Sequence, residues 1–232
     1  MKKMMFRVMA PVAAAFALGA TPSLHAAEVH IDAVGFDVYY DDALLPFFGT
    51  PIVFSGSSLV FTAASNTFEA QSSSTSWAFS GDSFGLRIVA DAGYNLSSAS
   101  IIQAGQLSLT GAASEVYAGG VTRAVDSRSP VISYSPMVGS GVAAIGTAGG
   151  TYSRSWETTS TQLFSAGASD VQITIDSLLG ARAGTGGTAF VNKGFVTLSV
   201  VSLVSPVPEA GGWAMLLAGL GLVGGIARRR LS

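Results

Sequence analysis

The chain has 232 residues, of which 49% are hydrophobic and only 11% charged; it carries no cysteine, and its net charge is −2. Without cysteine there is no disulfide framework, no thiolate nucleophile and no cysteine-based metal site, so the fold must be held by packing and hydrogen bonds. Between residues 27 and 205, six basic residues face thirteen acidic ones, a net charge of −7 that argues against nucleic acid and anionic lipid heads as partners.

In chain order, the first element is an export signal. Lys2, Lys3 and Arg7 form a positive start, residues 11–20 an apolar core rich in alanine, and residues 23–27 end in the small residues that a signal peptidase needs. Cleavage between Ala26 and Ala27 keeps His25 out of the third position before the cut, which predicts a signal peptide over residues 1–26. About 180 residues then remain before the C-terminal tail, enough for one domain with its own core.

The middle of the chain has a hydrophobic period of two. Residues 29–39 alternate apolar with polar or small side chains, and Gly35 interrupts them as a bulge would. Further strands are expected at 52–61, 76–80, 84–91, 100–110, 120–126, 131–135, 151–157, 162–165, 170–177 and 190–203. Turn residues separate them at 49–51, Gly81-Asp82, 91–93, Gly119-Gly120, Gly149-Gly150 and 184–187, while 139–150 makes a poor strand and a poor helix alike. About ten short strands without an amphipathic helix between them predict an all-β fold, an antiparallel β-sandwich or jelly-roll-like ectodomain spanning 27–205.

No residue pattern in this domain is catalytic. His30, the histidine left after processing, lies in the first strand with no second histidine or serine motif beside it, so it reads as a surface position. Asp37, Asp41 and Asp42 could offer oxygen ligands to calcium, but they lack the spacing and glycine of an EF-hand loop and read as a solvated face. The glycine-rich run 180–187 lacks the Gly-Lys-Ser/Thr ending of a phosphate loop and precedes a strand, so it reads as a hairpin connection. Tyr39, Tyr40, Trp77, Tyr94, Tyr117, Tyr134, Tyr152 and Trp156 could stack on sugar rings, although a sandwich of this size also needs aromatic residues inside. No metal and no cofactor is expected.

The chain ends in three parts: Val207-Pro208-Glu209-Ala210, an uncharged run over 211–227, and Arg228, Arg229 and Arg230. Seventeen uncharged residues make a helix of about 25 Å, the short end of a membrane span, and the arginines would stay on the cytoplasmic side. This order resembles the PEP-CTERM protein-sorting domain of exopolysaccharide-producing Gram-negative bacteria, with Val207, Pro208 and Glu209 as the motif and 206–232 as the tail. It departs from the name-giving motif at Ala210, where the second proline would stand. The resemblance implies an exosortase-type membrane protease as a partner, a transient stay in the inner membrane, and delivery to the cell surface or extracellular matrix.

The sequence is therefore expected to encode a non-enzymatic exported protein with a structural or adhesive role at the surface or in an exopolysaccharide matrix. The alternative is a membrane-anchored carbohydrate-binding module. A glycan hydrolase comes third, because the acids are too scattered to nominate a catalytic pair. If the N-terminal reading is right, mass spectrometry of surface-localised protein will find Ala27 as the first residue, and retention of Met1 would reject it.

Overall fold

The computed structural model describes residues 27–44, 51–63, 68–140, 150–205 and 220. The expected signal peptide, the motif Val207, Pro208 and Glu209, and the cluster Arg228, Arg229 and Arg230 lie outside the described residues, as does the 211–227 run apart from Leu220. Among the described residues no helix is long and apolar enough to cross a membrane.

Thirteen strands make up almost all of the described chain: β1 (Glu28–Ala33), β2 (Phe36–Asp41), β3 (Ile52–Ser55), β4 (Ser58–Thr62), β5 (Glu69–Ser72), β6 (Ala78–Ala90), β7 (Tyr94–Thr110), β8 (Glu115–Asp126), β9 (Ser129–Pro136), β10 (Val138–Gly139), β11 (Thr151–Ala168), β12 (Asp170–Arg182) and β13 (Thr188–Val204). They form two sheets, sheet I in the order β1-β2-β6-β12-β8-β9 and sheet II in the order β10-β11-β7-β13-β4-β3, with β5 also on β13. Every pairing is antiparallel. From β6 onward the chain changes sheet at every connection except the β8-β9 and β10-β11 links. That wiring sets β6-β12-β8-β9 against β11-β7-β13-β4, an eight-strand jelly roll whose edges are extended by β1-β2, β3 and β10, while β5 pairs with β13 beyond the end of β4.

The all-β sandwich is thus as the periodicity predicts, but several boundaries differ. Residues 29–39 are two strands rather than one bulged strand, because Gly35 takes a φ of +84° and closes a tight turn with Val34. Gly81-Asp82 and Gly119-Gly120 do not turn; they lie inside β6 and β8. A Cβ on Gly120 would sit 2.1 Å from the Asp176 carbonyl oxygen, so glycine there serves close backbone approach within the sheet. The strands expected at 151–157 and 162–165 are one, β11, with a register shift between Leu163 and Ala168. The 184–187 segment is not a hairpin, since it carries the chain from sheet I to sheet II. Val138 and Gly139 form β10, and residues 141–149 lie outside the described set.

Between the sheets the core is divided in two. One apolar cluster holds Phe36, Val38, Phe84, Ile88, Ile173 and Ile175 of sheet I against Leu59, Phe61, Ile101, Leu198 and Val200 of sheet II. The other gathers Leu107, Leu109, Trp156, Val191, Val116 and Leu179. A polar seam lies between them. Gln103 Nε2 donates to Ser177 Oγ at 2.6 Å, and Lys193 Nζ donates to the same oxygen at 3.2 Å. Farther along, Thr122 and Ser160 hydroxyls meet at 2.6 Å, and Gln162 Nε2 donates to the Thr122 carbonyl at 2.9 Å. Each of these bonds joins a strand of one sheet to a strand of the other.

Lys193 is only 3% exposed, and its ammonium stands 3.8 Å from the centre of the Phe68 ring. Burial pulls its pKa down to about 7, against an opposing pull from the Asp82 charge. The unfolded chain would hold a proton on Lys193 up to its ordinary pKa of 10.5, whereas the folded chain releases it from about pH 7. Unfolding therefore takes up a proton in that window, and stability rises with pH between about 7 and 9, with a slope on the order of 1 kcal/mol per pH unit. Urea melts at several pH values will show this rise in the native chain, and Lys193→Met will flatten it.

Candidate functional site

Because side chains alternate across a strand, the outward positions of β6, β12 and β8 form rows across the outer face of sheet I. Phe79, Gly180 and Tyr117 share one row, and Gly81, Leu178 and Gly119 the next. Large residues therefore stand beside glycines. A Cβ on Gly180 would lie 2.9 Å from Phe79 Cε1 and 3.2 Å from Trp77 Cζ3, so both rings lean over the bare backbone.

Trp77 and Phe79 are stacked, with ring centres 5.5 Å apart and planes 13° from parallel. Trp77 is 38% exposed and Phe79 62%. The Arg182 guanidinium lies 5.3 Å from the Trp77 ring centre and is held by a 2.7 Å ion pair to Glu115. Trp77 owes its position to the serine-rich stretch before it. The buried Ser72 hydroxyl lies 2.9 Å from the Ser74 carbonyl and 3.0 Å from the Ser76 carbonyl, and it accepts the Ser74 N–H at 3.2 Å. Serine hydroxyls of this kind replace ladder bonds in a turn. The Ser74 carbonyl also accepts the Ala183 N–H at 3.0 Å, tying the loop to the end of β12.

Toward the other end of the same face lies a depression of about 410 Å³ lined by Glu28, Tyr39, Tyr40, Asp41, Gly85, Leu86, Arg87 and Gln172. A Cβ on Gly85 would meet nothing within 4 Å, so the missing side chain leaves the floor open. Tyr39 forms one wall; its ring stacks on His30 with centres 4.8 Å apart, and Arg87 lies 5.8 Å from its centre. Arg87 grips Asp170 with two bonds, Nε to Oδ1 at 2.9 Å and Nη2 to Oδ2 at 2.7 Å. Those bonds hold the Asp170 carboxyl below the usual carboxylate range and raise the arginine. Between the two features, Arg123 Nε binds Asp176 Oδ2 at 3.0 Å.

The residues singled out in the sequence separate accordingly. His30 is an exposed position of β1, and its Nε2 meets Asp37 Oδ1 at 2.9 Å. Asp41 caps the Ala43 N–H at 2.8 Å and Asp42 the Ala27 N–H at 2.9 Å, so the three aspartates serve three different partners. Tyr40 and Trp156 are core residues, Trp156 being 1% exposed with its Nε1 donating to the Asn192 carbonyl at 2.9 Å. Tyr134 and Tyr152 are exposed away from the stack. The structure adds Phe79, whose signal in the sequence is its place two residues after Trp77, the spacing that puts both on one face.

No family model and no curated protein matches this chain. Among solved structures, it is similar to the enzymatically active domain of tailspike protein 4 of bacteriophage CBA120, at 12% identity and a TM-score of 0.18, covering 75% of this chain and 19% of that one. It is also similar to the infectious bursal disease virus Gt strain structure, at 12% identity and a TM-score of 0.15, covering 79% of this chain and 55% of that one. The chain thus spans only part of these proteins, and likenesses this slight carry neither a fold nor an activity to it.

Removing the Ser72 hydroxyl tests how the stack is held. Ser72→Ala will lower stability by about 1 kcal/mol. It will also raise the acrylamide quenching of Trp77, which can be read once Trp213 is changed to Phe, because Trp156 is buried.

Proposed function

We propose that this chain is a non-enzymatic exported protein, sorted by an exosortase-type system to the cell surface or an exopolysaccharide matrix, where its β-sandwich acts as a structural or adhesive component. The observation that supports adhesion is the exposed Trp77–Phe79 stack, set on the face of a broad sheet instead of in the core. Burying such rings against a partner is favourable, and the two stacked rings join into one contiguous apolar surface on that face. The support for sorting comes from the order of residues at the two chain ends. The same stack also favours the second reading, a carbohydrate-binding module kept on the membrane by its tail. The two readings differ in whether the tail is cut.

The tail itself supplies the test. Placing Asp at both Leu216 and Leu217 costs about 5 to 7 kcal/mol of insertion free energy near the helix centre, so this double variant will leave the membrane and appear unprocessed in the periplasmic fraction. Glu209→Ala will remain membrane-bound at full length, as cell fractionation and immunoblotting will show. Normal release of the Glu209→Ala variant in its native host would remove the role assigned to Pro208 and Glu209 and favour an ordinary anchor.

A further inference from the structure

We propose that the outer face of sheet I is a single extended binding strip for an uncharged linear polysaccharide, gripped at one end by the Trp77–Phe79 stack and at the other by the depression over Gly85. This rests on the adhesive reading above and names its ligand class and its two contact points.

The two ends lie on one strand. Phe79 and Gly85 both project from the outward side of β6, six residues apart, which is about 20 Å at 3.4 Å per residue. The outward positions between them are Gly81 and Ser83, so no large side chain of β6 blocks the path. A chain laid along β6 would meet an aromatic face first and a concave site second. The chemistry of the two ends differs in a way that suits a sugar. The stack offers apolar ring surface for the C–H faces of a pyranose, and the depression offers the Gln172 amide, the Tyr39 ring and the Glu28 and Asp41 carboxylates, which accept hydrogen bonds from hydroxyls.

Charge decides between a neutral and an acidic polymer. The three arginines that project from β6, β8 and β12 on this face are each already matched to a carboxylate: Arg87 to Asp170, Arg123 to Asp176 and Arg182 to Glu115, at 2.7 to 3.0 Å. The depression itself is lined by Glu28 and Asp41. A polyuronate would therefore find paired cations and facing anions, on a domain whose net charge is −7. A neutral hexose polymer meets no such opposition.

The test is isothermal titration of the full-length protein in detergent. The probes are soluble neutral polymers (β-1,4-glucan, β-1,3-glucan, mannan and galactan), their disaccharides, and polygalacturonate. The expected result is that at least one neutral polymer binds, that its disaccharide binds at least tenfold more weakly, and that 0.5 M salt changes the affinity less than twofold. Trp77→Ala with Phe79→Ala will weaken polymer binding at least tenfold. Gly85→Gln, which fills the depression without removing a ring, will do the same, and circular dichroism will report both variants folded.

Several outcomes would overturn the strip. They are equal binding of disaccharide and polymer, preference for polygalacturonate, no binding of any neutral polymer, or insensitivity to either variant. Co-purification of the native protein with the host's matrix polysaccharide separates this proposal from the one beneath it. Matrix association that survives both sets of substitutions would sink the strip and keep the adhesive reading, and absence of matrix association would sink the adhesive reading as well.

Discussion

The stacking of the two sheets depends on the polar seam that crosses the core. Apolar burial holds the layers together, but it is indifferent to small slides of one sheet over the other. Hydrogen bonds are not. Gln103 and Lys193 from sheet II converge on Ser177 of sheet I, and Gln162 and Ser160 of sheet II reach Thr122 of sheet I. A slide of two residues, about 7 Å, would set Gln103 and Lys193 against Ile175 or Leu179 and set Gln162 and Ser160 against Gly120 or Ala124, leaving each polar group at a cost of about 1–3 kcal/mol. The seam thus selects one alignment out of several that the aliphatic clusters would accept.

Burying a lysine in that seam costs stability at and below neutral pH, where the folded chain must hold the ammonium against its desolvation. The Phe68 ring and the Ser177 hydroxyl offset part of this cost. A methionine would fill the same space without the charge, so stability alone does not explain the residue. Its position between two apolar clusters fits a role in alignment.

Strand β12 carries the consequence of that alignment to the surface. It is paired along almost its whole length with β6 on one side and β8 on the other. Its inward residues Val171, Ile173, Ile175 and Leu179 are anchored in the core. Its outward residues Gln172, Asp176, Gly180 and Arg182 are therefore held at fixed rows, and each contributes to a feature of the outer face. The aromatic stack and the depression are rigidly spaced because they share this floor.

The all-β class was legible along the chain, since alternation of apolar and polar residues is a local property that needs no partner to be read, and the lack of cysteine excludes thiol chemistry outright. The expectation of targeting segments at residues 1–26 and 206–232 rests on the same kind of signal, since order, length and charge are written along one line. Whether a given glycine turns the chain or lies within a sheet is settled by strand pairing, because Gly35 answers to its own φ, whereas Gly120 answers to the carbonyl of Asp176 on a neighbouring strand. The same holds for the aromatic residues. Trp77 and Trp156 are alike in composition, yet one lies on the outer face of sheet I and the other inside the core, because the sequence lists the rings while only the pairing of distant strands sets which side of which sheet each one occupies.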